Sequence, residues 1–333
     1  MKIVVDAMGG DYAPEAAVRG AVEAKRETDA EIVLVGQIER IHAVLADCGV
    51  SDAPDGITLV DARETIAMAE EPVHAIRTKK DSSIVVGLRM LRDGEADAFV
   101  SAGSSGALLT GATLLVKRLP GVRRCAFAPQ LPNAAGGSFF LLDSGANAEC
   151  SEEYLVQFAR LGSIHARAVL GIEKPRVGLL NIGTEEEKGD TLRRNTHKAL
   201  RTLSEQGELC FVGNLEARDA MFGACDVLVA DGFSGNVMLK TMEGTALFIT
   251  EKLKETLRKN LKTKLAALLL MNDLKEFKRL LDPREQGGTA LLGASAPVFK
   301  AHGSSDAYAI RNAIRQAARA VEQAKKKINE KKS

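Results

Sequence analysis

Tryptophan is absent from this 333-residue chain, and aromatic residues make up only 4% of it. Binding of single-stranded nucleic acid relies on stacked rings, so the scarcity argues against that class. Charge of one sign is missing as well: 45 Lys and Arg stand against 44 Asp and Glu, a formal net charge of +1. No global field recruits a polyanion, and no nucleic-acid partner is expected. Cysteine is sparse. Cys48, Cys125, Cys150, Cys210 and Cys225 are odd in number and form no CxxC pair, so they read as reduced, mostly buried thiols of a cytoplasmic protein rather than a disulfide frame or a zinc site. Long apolar runs are lacking too. The longest, Leu265 to Met271, is far too short to span a bilayer. The chain enters a strand at Lys2, so no signal peptide is read.

Familiar cofactor signatures are also missing. No GxGxxG follows the first strand, and there is no GxxxxGK[ST], no HExxH and no His/carboxylate cluster at metal spacing. The expectation is an enzyme without nucleotide, metal or other cofactor.

What the chain does have is alternation. Short apolar runs at Ile3–Asp6, Ile32–Val35, Ile57–Val60, Ala98–Ser101, Cys125–Gln130, Phe139–Leu142, Val177–Asn181, Leu209–Val212 and Val227–Ala230 read as strands. Helical patterns lie near 14–27, 37–48, 81–93, 105–117, 151–170, 190–207, 236–260, 262–281 and 305–328. Strand–helix alternation predicts an α/β fold, a three-layer α/β/α Rossmann-like arrangement with helices on both faces of the sheet. The turn 132–137 between two of the runs predicts a hairpin, so the sheet is mixed. No repeat or linker divides residues 1–333, which read as a single unit.

In such sheets ligands bind beyond the carboxyl ends of the strands. Those ends carry Gly, Ser and Asn: Asp6 to Asp11 with Gly9 and Gly10; Ala102 to Gly106 with Gly103, Ser104 and Ser105; Asp143 to Asn147; Asn181 to Gly189 with Gly183 and Lys188; Gly213-Asn214; and Asp231 to Asn236 with Ser234 and Gly235. Six such loops predict one polar cleft lined by backbone N–H groups, which suits phosphate. The centre of the pattern is Cys225–Gly244: an apolar run, a turn of small polar residues and a helix starting near Val237. An ordinary strand-to-helix turn capped by Ser234 or Asn236 fits the same residues. His302 precedes the last helix beside Ser304 and Ser305, where an imidazole can hold an anion, move a proton or simply occupy a loop. Gly232-Phe233-Ser234-Gly235-Asn236 is close to a nucleophile elbow but ends in Asn, and no His partner in suitable chain order accompanies it.

Together the loops resemble the bacterial phosphate acyltransferase family. The resemblance rests on DAMGGD (6–11), SAGSSGA (101–107), LDSGAN (142–147), LLNIGTEEEKG (179–189), GNLEARD (213–219), DGFSGNVMLK (231–240), GGTALLG (287–293) and AHGSS (301–305), in order along nearly the whole chain. Ser104, Ser144 and Ala217 depart from the usual Asn, Leu and Gly of those motifs. The resemblance implies an isocitrate/isopropylmalate dehydrogenase-like fold and a homodimer. It also implies a reaction in which inorganic phosphate takes a long-chain acyl group from acyl carrier protein, giving acyl phosphate for phospholipid synthesis. Lys188 is then the first candidate for charge stabilisation and Asn236 the second, with Asp231 and His302 as catalytic partners. Asp6, Gly9, Gly10, Gly103, Ser104, Ser105, Asn147, Asn181, Gly183, Ser234 and Gly235 would bind phosphate or substrate. Glu185 to Lys188 as a solvated charged turn is the plainer alternative. A short-chain enzyme using acetyl-coenzyme A, a dehydrogenase of related fold and a non-catalytic membrane scaffold are the competing readings.

Residues 245–282 read as two amphipathic helices forming an arm. Leu253, Leu257, Leu261 and Leu265 repeat every four residues among lysines, and Leu265–Met271 make an apolar tip. Dimerisation is one use of such an arm; peripheral contact with an anionic membrane, and with the membrane glycerol-3-phosphate acyltransferase, is the other. The basic tail Lys325–Lys332 reads as a frayed helix end.

Overall fold

A computed structural model describes residues 1–50 and 53–330. The end of the basic tail lies outside the described residues. The strands are β1 (Lys2–Asp6), β2 (Glu31–Gly36), β3 (Ile57–Asp61), β4 (Ala98–Ser101), β5 (Ala126–Ala128), β6 (Gln130–Pro132), β7 (Ser138–Leu142), β8 (Arg176–Leu180), β9 (Cys210–Leu215), β10 (Val227–Val229), β11 (Gly288–Leu292) and β12 (Val298–Ala301). The helices are α1 (Glu15–Lys25), α2 (Ile38–Asp47), α3 (Pro72–Thr78), α4 (Ser83–Arg92), α5 (Ser105–Gly111), α6 (Glu152–Val169), α7 (Thr191–Glu205), α8 (Ala217–Met221), α9 (Gly232–Arg258), α10 (Leu261–Leu269), α11 (Met271–Leu281) and α12 (Ala307–Glu330).

The strands form two sheets, in the orders β3-β2-β1-β4-β12-β11-β5 and β6-β7-β10-β8-β9. Each is parallel at its centre with antiparallel strands at one edge. Period-two alternation explains how the larger sheet is covered. Ile3 and Val5 of β1 face the core under α1, α2 and α12, while Val4 faces the core under α4 and α5. The smaller sheet buries one face under α6 and α7 and the other under α8 and the start of α9. Each fully buried Ile, Leu or Phe in these cores contributes about 1.5–3 kcal/mol.

Four features differ from the sequence expectation. The run Cys125–Gln130 divides at Pro129: β5 pairs with β11 in the larger sheet, and β6 makes the hairpin with β7 in the smaller one. Proline has no N–H for a ladder, so the switch occurs there. Strands β11 and β12 were not anticipated. Gly287-Gly288 and Pro297 punctuate them, yet β12 runs parallel beside β4 near the middle of the sheet. Helix α3 was missed as well; Glu71 caps it by accepting the N–H groups of Val73 and His74, and Pro72 opens it. Finally, Gly213-Asn214 lies inside β9 rather than after it.

The arm comprises the outer half of α9 with α10 and α11. The four-residue leucine repeat does not run through one helix, because Asn260 stops it. Asn260 and Thr263 exchange side-chain hydrogen bonds with each other's backbone in a capping box that starts α10. Leu268, Leu269, Leu270 and Met271 are exposed at the turn into α11.

Candidate active site

Two rims of loops meet at helix α9. The first stands on the larger sheet. β1 ends at Asp6, which is buried; its carboxylate accepts the Ser101 hydroxyl at 2.6 Å and the Met8 N–H at 3.1 Å. The Ser101 hydroxyl in turn accepts the Gly103 N–H at 3.0 Å. Burial pushes the Asp6 carboxyl up, against hydrogen bonds from Ser101, Ser83, Met8 and Gly9 that pull it down. Gly9 is required by crowding: a Cβ there would stand 2.6 Å from the Gly103 nitrogen. Gly10 rests on Ala102 and Gly303, and the Asp11 N–H donates to the Gly303 carbonyl at 2.8 Å. The loops after β1, β4 and β12 are thus interlocked.

The second rim stands on the smaller sheet. Asp143, directly after β7, is fully buried. It accepts the N–H groups of Phe127 (2.9 Å), Ala146 (3.2 Å) and Asn147 (2.6 Å) and the Asn147 amide (3.0 Å). The Asn147 amide also donates to the Cys125 carbonyl at 2.8 Å, so this side chain braces the loop from inside. Gly232 lies against that loop, where a Cβ would stand 2.5 Å from the Asn147 carbonyl oxygen. Helix α9 begins at Gly232, earlier than expected, so Phe233 to Asn236 form its first turn. Its cap is Asp231, not Ser234 or Asn236; the Asp231 carboxylate accepts the Ser234 N–H at 2.9 Å. Arg193 of α7 donates to Asp231, to the Ser234 hydroxyl at 3.0 Å and to Asp190 at 2.8 Å.

Loop 181–189 completes this rim. The Asn181 amide donates to the Lys188 carbonyl at 3.0 Å and its oxygen accepts the Ile182 N–H at 2.9 Å, so Asn181 closes the loop on itself. The Lys188 side chain is half exposed and lies over Gly183, with Glu185 4.0 Å from its ammonium. Asn214 ties the loop to β9 by donating to the Glu185 carbonyl at 2.7 Å.

Helix α9 joins the rims. Asn236 and Lys240, four residues apart, share one of its faces. Asn236 approaches Gly145 on the second rim. The Lys240 ammonium is 3.1 Å from His302 Nε2 on the first rim, and 2.7 Å from Glu243. His302 Nδ1 lies 2.8 Å from the Ser304 hydroxyl. Burial, helped by the Lys240 charge, pushes the His302 imidazole pKa down and favours its neutral form.

Lys240 and His302 thus meet, with Asn236 one turn away on the same helix face, while Arg193, Asp231 and Ser234 line a cavity on the second rim with Glu149, Cys150 and Phe233. Ser104 is buried as the cap of α5, accepting the Ala107 N–H at 3.4 Å, while Ser105 is exposed. Arg193, Lys240, Asp143 and Lys300 were not anticipated as site residues. For Lys300 the signal was present: a lysine within the apolar run Val298-Phe299-Lys300-Ala301. For Arg193 there was none, because its pairing with Asp231 spans separate elements.

Burial suppresses the thiolates of Cys125, Cys150 and Cys225, pushing Cys125 to about 11 and Cys225 to about 12; Cys210, expected to be buried, is exposed. His165 is a core residue, 4.6 Å from the Phe140 ring and pushed down to about 4 by burial. Among the described residues no His, Cys, Asp and Glu group is placed to hold a metal, and no helix is long and apolar enough to cross a membrane.

In fold this is a phosphotransacetylase-like α/β protein. A phosphotransacetylase from Streptococcus pyogenes superposes with a TM-score of 0.63 at 19% identity, covering 97% of this chain and 94% of that one. A 4-hydroxythreonine-4-phosphate dehydrogenase from Klebsiella pneumoniae superposes at 0.55 with 13% identity, over 96% and 98% of the two chains. The chain belongs to the family described as fatty acid synthesis protein, whose model matches residues 1–327. Its relatives include the phosphate acyltransferases of Caldanaerobacter subterraneus, 47% identical over 95% of this chain and 92% of that protein, and of Bacillus licheniformis, 48% identical over 97% and 95%. It is an acyltransferase.

Proposed function

We propose that this enzyme moves a long-chain acyl group from the thioester of acyl carrier protein to inorganic phosphate, giving acyl phosphate for phospholipid synthesis. The observation that supports the reading is the 3.1 Å approach of Lys240 to His302, which brings a cation of α9 against the loop after β12. The names of the relatives support phosphate as the acceptor.

Phosphate is already a nucleophile, and thiolate leaves readily. The protein's task is to place one against the other and to stabilise the tetrahedral oxyanion. Phosphate sits between the rims, held by Lys240 and by backbone N–H groups near Gly103 and Gly183. Its oxygen forms the new bond to the acyl carbon, and the carbon–sulfur bond breaks. The proton of hydrogen phosphate ends on the departing sulfur, and neutral His302 relays it. Lys188 and Asn236 face the developing oxyanion. Arg193 holds Asp231 and Ser234 in place; Asp6, Asn147 and Asn181 act through the loops they brace. No cofactor takes part. Residues 1–333 work as one unit, with the arm 245–282 as the dimer contact and the exposed leucines near Leu268 resting on anionic membrane, within reach of a membrane glycerol-3-phosphate acyltransferase that uses the product.

The decisive assay incubates the protein with palmitoyl-acyl carrier protein and phosphate, without nucleotide or metal. Phosphate-dependent release of carrier thiol, with acyl phosphate trapped by hydroxylamine, is the expected result. Turnover of acetyl-coenzyme A alone would replace the donor with a short-chain one. For the arm, Leu268→Glu with Leu269→Glu should abolish sedimentation with phosphatidylglycerol vesicles and leave the dimer intact; unchanged sedimentation removes the membrane role.

A further inference from the structure

Lys300 is a charged side chain in a strand interior. It is only 9% exposed, and its neighbours Val298, Phe299 and Ala301 are buried. An ammonium in such a place is costly unless it is paired, and a methionine would fill the same volume without that cost. The ammonium donates to the Ala102 carbonyl at 3.3 Å and to the Ala301 carbonyl. Ala102 is the first residue beyond β4 and Ala301 the last of β12. One side chain therefore bolts together the roots of two loops that interlock with Gly9 and Gly10.

We propose that Lys300 is a positioning residue for acyl transfer: its ammonium holds the loops after β4 and β12 in the arrangement that presents His302 and Lys240 to phosphate. This rests on the phosphate-binding reading of the cleft. The charges around it come from every packed element. Asp6 of β1 and Asp11 of the following loop favour the ammonium, whereas Lys240 of α9 opposes it; Lys300 in turn disfavours a second positive charge on His302. Burial pushes the Lys300 amine down to about 8, so this support is lost within the working range of an assay.

The test follows kcat and the KM for phosphate between about pH 6.5 and about pH 9.5 for the wild type, Lys300→Arg and Lys300→Met. In the wild type, kcat/KM for phosphate should fall about tenfold per pH unit above pH 8, through KM. Lys300→Arg, permanently charged, should abolish that fall. Lys300→Met should raise the phosphate KM about tenfold or more at neutral pH, changing kcat less, with no alkaline limb. A wild type without the limb, the same limb in Lys300→Arg, or a wild-type KM in Lys300→Met overturns the proposal. Should Lys300→Met not fold, the wild type and Lys300→Arg decide alone. If the wild type turns over no substrate at any pH, the functional reading fails separately. Calorimetric titration with inorganic phosphate over the same range then judges Lys300, and pH-independent affinity overturns its role.

Discussion

The two rims differ in the charges they bury. On the larger sheet both signs are buried: Asp6 and Lys300 lie under the loops, and their partners are Ser101 and backbone groups of the loop roots. On the smaller sheet the charges buried beneath the loops, Asp143 and Asp231, are both acidic, and other loop charges reach outward, as with Lys188, Glu185 and Glu186. Buried charges here organise backbone, and exposed ones are free to meet substrate. The division predicts which substitutions damage the fold and which damage only the reaction.

The sharpest break comes from Asp143→Ala. It strands three backbone N–H groups and the Asn147 amide, and should cost about 3–5 kcal/mol in urea unfolding. A loss below about 1 kcal/mol would mean that water replaces the carboxylate and that this rim is not organised by it. Lys188→Ala is the counterpart. Turnover should drop by about 10²–10³ while stability stays within about 0.5 kcal/mol, and turnover within about threefold of wild type would return the loop to a solvated charged turn. Arg193→Lys lies between these extremes. It keeps a charge but loses the fork that spans Asp231, Ser234 and Asp190, so a cost of about 1–3 kcal/mol together with weaker catalysis is expected. An unchanged melting curve would show that the helix cap does not need its arginine.

The pH dependence of stability sharpens the contrast further. The folded-state pKa of Lys300 lies near 8, below its ordinary 10.5. Between those values the unfolded chain binds more protons at this site, so this group makes stability rise with pH; below pH 8 its contribution to the slope disappears and the full penalty remains. The difference between wild type and Lys300→Met should vary with pH only in that window. The smallest effect is expected on the arm, where Leu269→Ser at an exposed site should change stability by no more than about 0.5 kcal/mol.

Much of this molecule could be read from its residues. Runs rich in Val, Ile and Leu marked the parallel strands of both sheets other than β12, because strands buried on two faces are apolar throughout. What escaped notice had weaker local signals. β11 and β12 are framed by Gly and Pro, and their pairing with β4 and β5 comes from segments more than 150 residues away. The single sheet became two because one proline residue redirected a strand. At the site, loop composition singled out Ser234, Asn236 and His302, which the fold sets in the first turn of α9 and beside Lys240. Composition did not distinguish residues that face inward, such as Asn147 and Asn181, from those that face outward, since both are small polar residues at strand ends. Arg193 acts across elements, where sequence spacing carries no information, whereas Lys240 follows Asn236 by four residues and shares its face of α9.

The strand order of the larger sheet has a consequence for how the chain is made. β12 lies between β4 and β11, and it is the last strand to be synthesised. The smaller sheet uses one uninterrupted stretch, from β6 to β10, and can close as soon as that stretch has left the ribosome. Until β11 and β12 arrive, the growing chain carries β4 with a bare apolar edge and β5 with no partner in its own sheet. Such an edge is a template for wrong pairing. The nascent protein is therefore most vulnerable to aggregation while the arm is being translated, and a stop codon anywhere before β12 leaves that edge permanently open.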